Sequence, residues 1–237
     1  ILRVAGMPRF SNGYFAAKNR FGLLVETHSL KPFPNRVEST LCINKAMLEY
    51  IQNHSNEIRQ LQKSCEQDDA ANLGLGKTEF PLAWEIAAEY KEEKFLGLDY
   101  TFVQSEITGD LIKRYTGEPI ETTVKVYNEV NVTHAAQLPS AYLIPAEFKQ
   151  VIDVLHLHNI PFSRTKAGSK FKVEKQTVYD YEFAARPYEG RQRLVPNGIK
   201  IDETILKTGS DYYLVTPPEG HGRIIAFLLE PYSPDSF

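Results

Sequence analysis

The most constraining feature of this chain is the stretch from Gly22 to Phe33, in which a short apolar run leads directly into polar side chains. Such a run, opened by a glycine and closed by prolines at positions 32 and 34, is typical of a strand buried on both faces, as in a parallel sheet. Its polar end is then the carboxyl end of a strand, where open α/β sheets bind ligands and metals. Because side chains alternate along a strand, Glu26 and His28 are expected on one face and Thr27 on the other.

The fold class that follows is α/β, with part of a mixed, mostly parallel sheet flanked by helices. Residues 1–109 are predicted to form this domain, and residues 110–237, which hold several short β-branched segments, are predicted to form a β-rich α+β module. We expect one long helix over 37–66, a helix over 81–94, a strand over 95–102 and a short helix over 147–157.

Composition narrows the classes of function. The chain of 237 residues is 42% hydrophobic and 24% charged, which is ordinary for a soluble globular protein. A net charge of -3 argues against nucleic acid as a partner, and no apolar run approaches the length of a transmembrane segment. The chain begins with Ile1 and not Met, so we expect a processed or trimmed polypeptide, and a removed signal peptide would make it periplasmic or secreted.

The segment Leu24–Ser29, followed by Lys31-Pro32-Phe33, resembles the third zinc-ligand segment of the M14 zinc carboxypeptidases. It is most similar to a bacterial M14-like branch with an added C-terminal module, and residues 19–22 and 35–37 fit the same branch. The resemblance is most specific over residues 1–105 and continues more loosely to residue 237. It implies that His28 is a ligand of Zn²⁺ in a metallopeptidase that hydrolyses peptide bonds or other amide-linked substrates.

The resemblance also implies a general base and a substrate clamp. The base of M14 enzymes lies on a strand beyond the third ligand, where it activates the zinc-bound water. Tyr100-Thr101-Phe102 resembles the approach to that residue, so Glu106 is the first candidate and Glu26 the second. Arg20 and Arg36 are the candidates for binding a substrate carboxylate, since a guanidinium binds a carboxylate through two parallel hydrogen bonds.

The other two zinc ligands of the family form a His-x-x-Glu motif upstream of the third, and this sequence has none before His28. Catalytic zinc sites use three protein ligands. We therefore expect either the C-terminal portion of a longer enzyme or a non-catalytic binding module that keeps the fold without the metal. A third reading is a structural domain in which His28 is a core histidine. The literal His54-Ser55-Asn56-Glu57 follows His28 and is interpreted as a solvated helix face.

Overall fold

The computed structural model describes residues 7–29, 31–73, 77–217 and 220–237, and in these ranges it contains five helices and nine strands. The helices are α1 (Ser11–Ala17), α2 (Phe33–Asn53), α3 (Ser55–Asn72), α4 (Lys149–Leu157) and α5 (Gly222–Leu229). The strands are β1 (Glu79–Ile86), β2 (Lys91–Gln104), β3 (Leu111–Val126), β4 (Val130–Gln137), β5 (Tyr142–Pro145), β6 (Phe162–Arg164), β7 (Lys170–Phe183), β8 (Leu194–Lys207) and β9 (Tyr212–Val215).

The predicted mostly parallel α/β sheet is wrong. The described strands form small antiparallel sheets, namely the pairs β1–β4, β2–β3 and β7–β8 and the three-stranded sheet β5–β9–β6. The central strand of the prediction does not form either, because no described segment pairs with residues 21–29. A strand exists only where a neighbour takes up its backbone hydrogen bonds, so the apolar run stays without regular structure among the described residues. Leu30, within the predicted stretch, lies outside the described residues.

The chain divides into two compact units, one made of residues up to 84 and from 132 onward and the other of residues 85–131. The first unit contains the hydrophobic core. Its most deeply buried side chains are Leu82, Leu155, Val215 and Ile225. They come from β1, α4, β9 and α5, so two helices and two strands contribute to the same core.

Local sequence explains why these elements are buried. In β1 Phe80 and Leu82 alternate with exposed residues, which is the period of a strand with one covered face. In α4 Val151 and Leu155 stand one turn apart on the buried side. Helix α5 has four successive buried residues, 224–227, and a helix that is apolar all round belongs in a core.

The second unit is a two-stranded ribbon. β2 pairs antiparallel with β3 from Lys91 opposite Val126 to Gln104 opposite Leu111, with an irregularity in register between Leu98 and Tyr100. Gly117, with φ +92°, lies on the opposite strand at this irregularity, where a left-handed backbone favours glycine.

Two helix predictions need correction. The helix expected over 37–66 is instead two helices, α2 and α3, which meet at His54, whose φ of -114° ends the first helix. The helix expected over 81–94 is wrong, since this segment contains most of β1 and the start of β2. Pro81 fits in β1 because this strand pairs only with β4 among the described strands, so one of its edges needs no backbone hydrogen bonds.

Candidate functional site

The segment that carries the predicted site is positioned by the end of α1. Asn19 adopts a left-handed φ of +53°, and the amides of Asn19 and Arg20 donate to the carbonyls of Ala16 and Phe15 at 3.0 and 2.8 Å. These two bonds form the Schellman motif, which satisfies the last carbonyls of a helix. The motif turns the chain out of α1 and starts the extended segment that contains His28.

Gly22 keeps this segment close to α1. A side chain on Gly22 would lie 3.2 Å from Cβ of Phe15 and 3.4 Å from Cα of Asn12, so a larger residue would push the two apart. Beyond Gly22 the chain leaves the helix, and Leu23 and Leu24 are exposed. The apolar run is therefore not buried within the described residues.

His28 and Glu26 both lie on this extended segment and both side chains are exposed. The amide of Lys31 donates to the carbonyl of His28 at 3.1 Å, which turns the chain towards α2. Pro32 is the residue before the first turn of α2. The predicted metal ligand thus stands at an exposed turn between two helices rather than at the end of a buried strand.

The two arginines predicted to bind substrate have other contacts. The guanidinium of Arg20 donates to Oε1 of Glu66 at 2.7 Å and to two backbone carbonyls of its own turn. The guanidinium of Arg36 lies 5.5 Å from the centre of the Phe33 ring, a cation–π contact one turn apart on α2. Arg20 therefore connects the segment to α3, and this ion pair forms without any substrate.

Glu106 belongs to the second unit and lies in the turn that joins β2 to β3. This turn is organised by Ser105, whose Oγ accepts hydrogen bonds from the amides of Ile107 and Thr108 at 3.3 and 3.2 Å. The Glu106 side chain is exposed. A turn that closes a ribbon explains its position without any catalytic role.

The described residues do not build a metal site by themselves. Within residues 7–29, 31–73, 77–217 and 220–237, no three His, Cys, Asp or Glu side chains come together in a way that could hold a metal ion. In the later His-x-x-Glu, Nδ1 of His54 lies 3.1 Å from Oε2 of Glu57, and the imidazole stacks on Tyr50 with 4.2 Å between ring centres. This pair is exposed and links neighbouring turns, as the sequence predicted for a solvated face.

A basic cluster that sequence reasoning missed lies beside α1. Nζ of Lys18 is 2.9 Å from Nε2 of His221, and the hydroxyl of Tyr14 is 3.2 Å from Nδ1 of His158. Burial, and then the positive charge of Lys18 and of His221, lower the pKa of His158. Burial, and then Arg20, lower the pKa of Lys18. The cluster therefore favours neutral side chains more than free solution does.

One ion pair attaches α3 to the core. The guanidinium of Arg223, on α5, donates two hydrogen bonds of 2.7 Å to the carboxylate of Asp69, near the end of α3. Asn19 donates a third hydrogen bond to the same carboxylate at 2.7 Å. Asp69 therefore connects the end of α1, the end of α3 and the start of α5.

The sequence carries only weak signals for these contacts. His158 directly follows the helix predicted over 147–157, and it stands at the end of α4. Its partner Tyr14 is 144 residues away, and no local pattern links the two. Asp69 and Arg223 are likewise joined only by the fold.

Of the helices in the part of the chain that the structure describes, none combines the length and the apolar composition needed to cross a membrane. Comparison with protein-family models, with curated proteins and with solved structures gave no match.

Proposed function

We propose that this chain is the C-terminal portion of an M14-like zinc metallopeptidase that hydrolyses peptide or other amide bonds, and that His28 contributes one of its zinc ligands. The proposal rests first on the resemblance of residues 24–29 and 31–33, with the flanking residues 19–22 and 35–37, to the third-ligand segment of that family. One imidazole does not hold zinc tightly, because catalytic sites use three protein ligands. The remaining ligands would come from a polypeptide segment that carries a His-x-x-Glu motif.

The observation that supports this proposal best is the exposed apolar surface around His28. Leu23 and Leu24, just before it, are exposed, and so are large apolar side chains along the following helix. These are Phe33, Val37, Leu41, Ile43, Leu48, Tyr50 and Ile51. Exposed apolar side chains in this density mark a surface that another polypeptide covers. A segment that packs here would bring its own side chains close to His28.

The chain's own chemical contribution is then limited to identifiable groups. The imidazole of His28 is the candidate zinc ligand, and the carboxylate of Glu26 is the candidate base in the same unit. Glu26 stands two residues before His28, and both side chains are exposed. Arg36 is the better candidate for a substrate carboxylate, because Arg20 is held by Glu66.

The experiment is zinc analysis of the protein isolated from its native source, compared with two histidine variants expressed in the same way. We expect His28→Ala to lose bound zinc and amide hydrolysis, and His54→Ala to keep both. The two variants remove the same side chain from exposed positions, so a general effect on folding would change both. Retention of zinc by His28→Ala would contradict the proposal.

A second candidate function is a binding module that keeps the fold without the metal. The described residues favour it in one respect, because among them no group of three potential ligands could hold a metal ion. It predicts that the protein from its native source contains no stoichiometric zinc and yet binds a peptide ligand. Zinc content measured on the same sample therefore distinguishes the two candidates.

A further inference from the structure

A cavity of about 630 Å³ opens in the first unit, away from the extended segment that carries His28. Its apolar walls come from α4, α5 and the segments near both described ends of the unit: Pro8, Val154, Ile224, Phe227, Leu228 and Phe237. The volume lies within the range of small-molecule sites, roughly 300–1,000 Å³. None of the residues that line it belongs to the proposed zinc site.

Of the two arginines at its rim, one is paired with a carboxylate and the other, within the part of the chain that the structure describes, is not. Arg9 forms an ion pair with Asp235, whose carboxylate also accepts the Arg9 amide at 3.1 Å. Arg191 has no carboxylate partner among the described residues, and its guanidinium lies 4.9 Å from the centre of the Phe237 ring. A cation placed on the wall of an apolar cavity attracts an anion that carries an apolar group.

The rim is held by a tight turn. Tyr188 and Arg191 exchange backbone hydrogen bonds of 2.8 and 3.1 Å, and between them Glu189 and Gly190 have φ of +49° and +78°. Positive φ at both central residues is the geometry of a type I′ hairpin turn. Tyr188 is covered by the guanidinium of Arg9 at 5.1 Å. The turn thus fixes the base of the Arg191 side chain beside the cavity, and it places the exposed carboxylate of Glu189 at the same rim.

We propose that this cavity binds a small amphipathic carboxylate, with the apolar chain between α4 and α5 and the carboxylate on Arg191. His158 also lines the cavity, and burial lowers its pKa, which favours the uncharged ring. Arg191 is therefore the cation that selects the anion near neutral pH. Glu189 opposes the same anion, so it sets an upper limit on affinity. This inference does not depend on the zinc role, since none of its residues belongs to the His28 segment.

The test is isothermal titration calorimetry of the full chain with decanoate, octanoate and decylamine below their aggregation concentrations. We expect saturable decanoate binding, about fourfold tighter per added methylene, by the free energy of burying each methylene. We expect decylamine to bind at least tenfold more weakly than decanoate, since its ammonium meets Arg191. Equal binding of decanoate and decylamine would overturn the proposal, as would no saturable binding of decanoate.

Two charge variants locate the site. Arg191→Gln should weaken decanoate binding roughly fivefold, because it removes the cation that attracts the carboxylate. Glu189→Gln should strengthen binding, because it removes a like charge from the same rim. Arg186→Gln is the matched control, since it removes the same charge from an exposed position that does not line the cavity. Equal effects of Arg191→Gln and Arg186→Gln would show binding to exposed apolar surface elsewhere and would refute the assignment. Circular dichroism of each variant checks that the fold is kept.

Discussion

Two helical regions of the first unit differ sharply in how they use their apolar side chains. Helix α5 has 8 residues and four of them are buried. Helices α2 and α3 have 21 and 18 residues, all within the described ranges, and none of them is buried. The short helix is central to a core, whereas the two long helices lie on its outside.

The difference shows that apolar content alone does not create a core. The core brings together apolar side chains of α1, β1, β5, α4, β9 and α5, which cover one another. The helices α2 and α3 have apolar side chains at three- and four-residue steps, but none of their residues is buried. Helix α3 is joined to the rest of the unit by the ion pairs of Glu66 and Asp69. We interpret their exposed surface as the place where a further polypeptide packs, which is the physical basis of the proposed function.

The largest effect expected from this comparison is on the free energy of unfolding. Ile225→Ala removes a fully buried side chain and should lower that free energy by about 2–5 kcal/mol. Leu48→Ala removes a similar side chain from α2, where the exposed fraction is 67%, and should change it by less than about 0.5 kcal/mol. Urea denaturation measures both. A Leu48→Ala variant that is as unstable as Ile225→Ala would mean that α2 is already covered.

A smaller effect is expected where α3 meets the core. Asp69 is 11% exposed and accepts two hydrogen bonds from Arg223, so a double-mutant cycle with Asp69→Asn and Arg223→Gln should give a coupling of about 1–2 kcal/mol. The matched pair Lys94–Glu121 is exposed on both sides and should give below about 0.5 kcal/mol. Equal couplings would contradict the view that Asp69 anchors α3.

The smallest effect is on the pH dependence of stability, and it has two opposite parts. Burial lowers the pKa of His158 from its ordinary 6.5, so its contribution is present above that pH and is lost as pH falls through the lowered pKa. Burial raises the pKa of Glu230 from its ordinary 4.5, against the hydrogen bond from Tyr142. The contribution of Glu230 is therefore present below that value and is lost as pH rises through the raised pKa.

Urea denaturation across this pH range should separate the two groups. In His158→Gln we expect the loss of stability on acidification below 6.5 to be smaller than in the parent chain. In Glu230→Gln we expect the loss of stability on raising the pH above 4.5 to be smaller. Titration of the His158 ring by NMR gives its pKa directly, and a value at or above the ordinary one would contradict the assignment.

Sequence patterns correctly predicted two elements whose pattern depends on residues close together in the sequence. The strand expected over 95–102 lies within β2, and the helix expected over 147–157 matches α4, which begins at Lys149. The helix expected over 81–94 failed because the alternation of Phe80 and Leu82 in β1 has the period of a strand, and the apolar residues that follow obscured it. Pro81 at the start of this segment is compatible with the first turn of a helix, but an unpaired strand edge accepts proline equally well.

The larger error came from tertiary context. The run Leu23–Val25 has the composition of a buried parallel strand, but burial requires neighbouring strands, and the described chain supplies none for it. The candidate site shows the same limit. His28 and Glu26 could be named from the sequence, whereas the contact of Lys18 with His221 spans 203 positions and depends on the fold.

Hydrogen exchange of the chain by itself, followed by mass spectrometry, tests the central contrast most directly. We predict slow exchange in α4, β9 and α5, whose amides open only with the core, and fast exchange along α2 up to His54. Protection in α2 equal to that in α5 would contradict the account, because it would mean that the long helices are already packed and that no further polypeptide is needed beside His28.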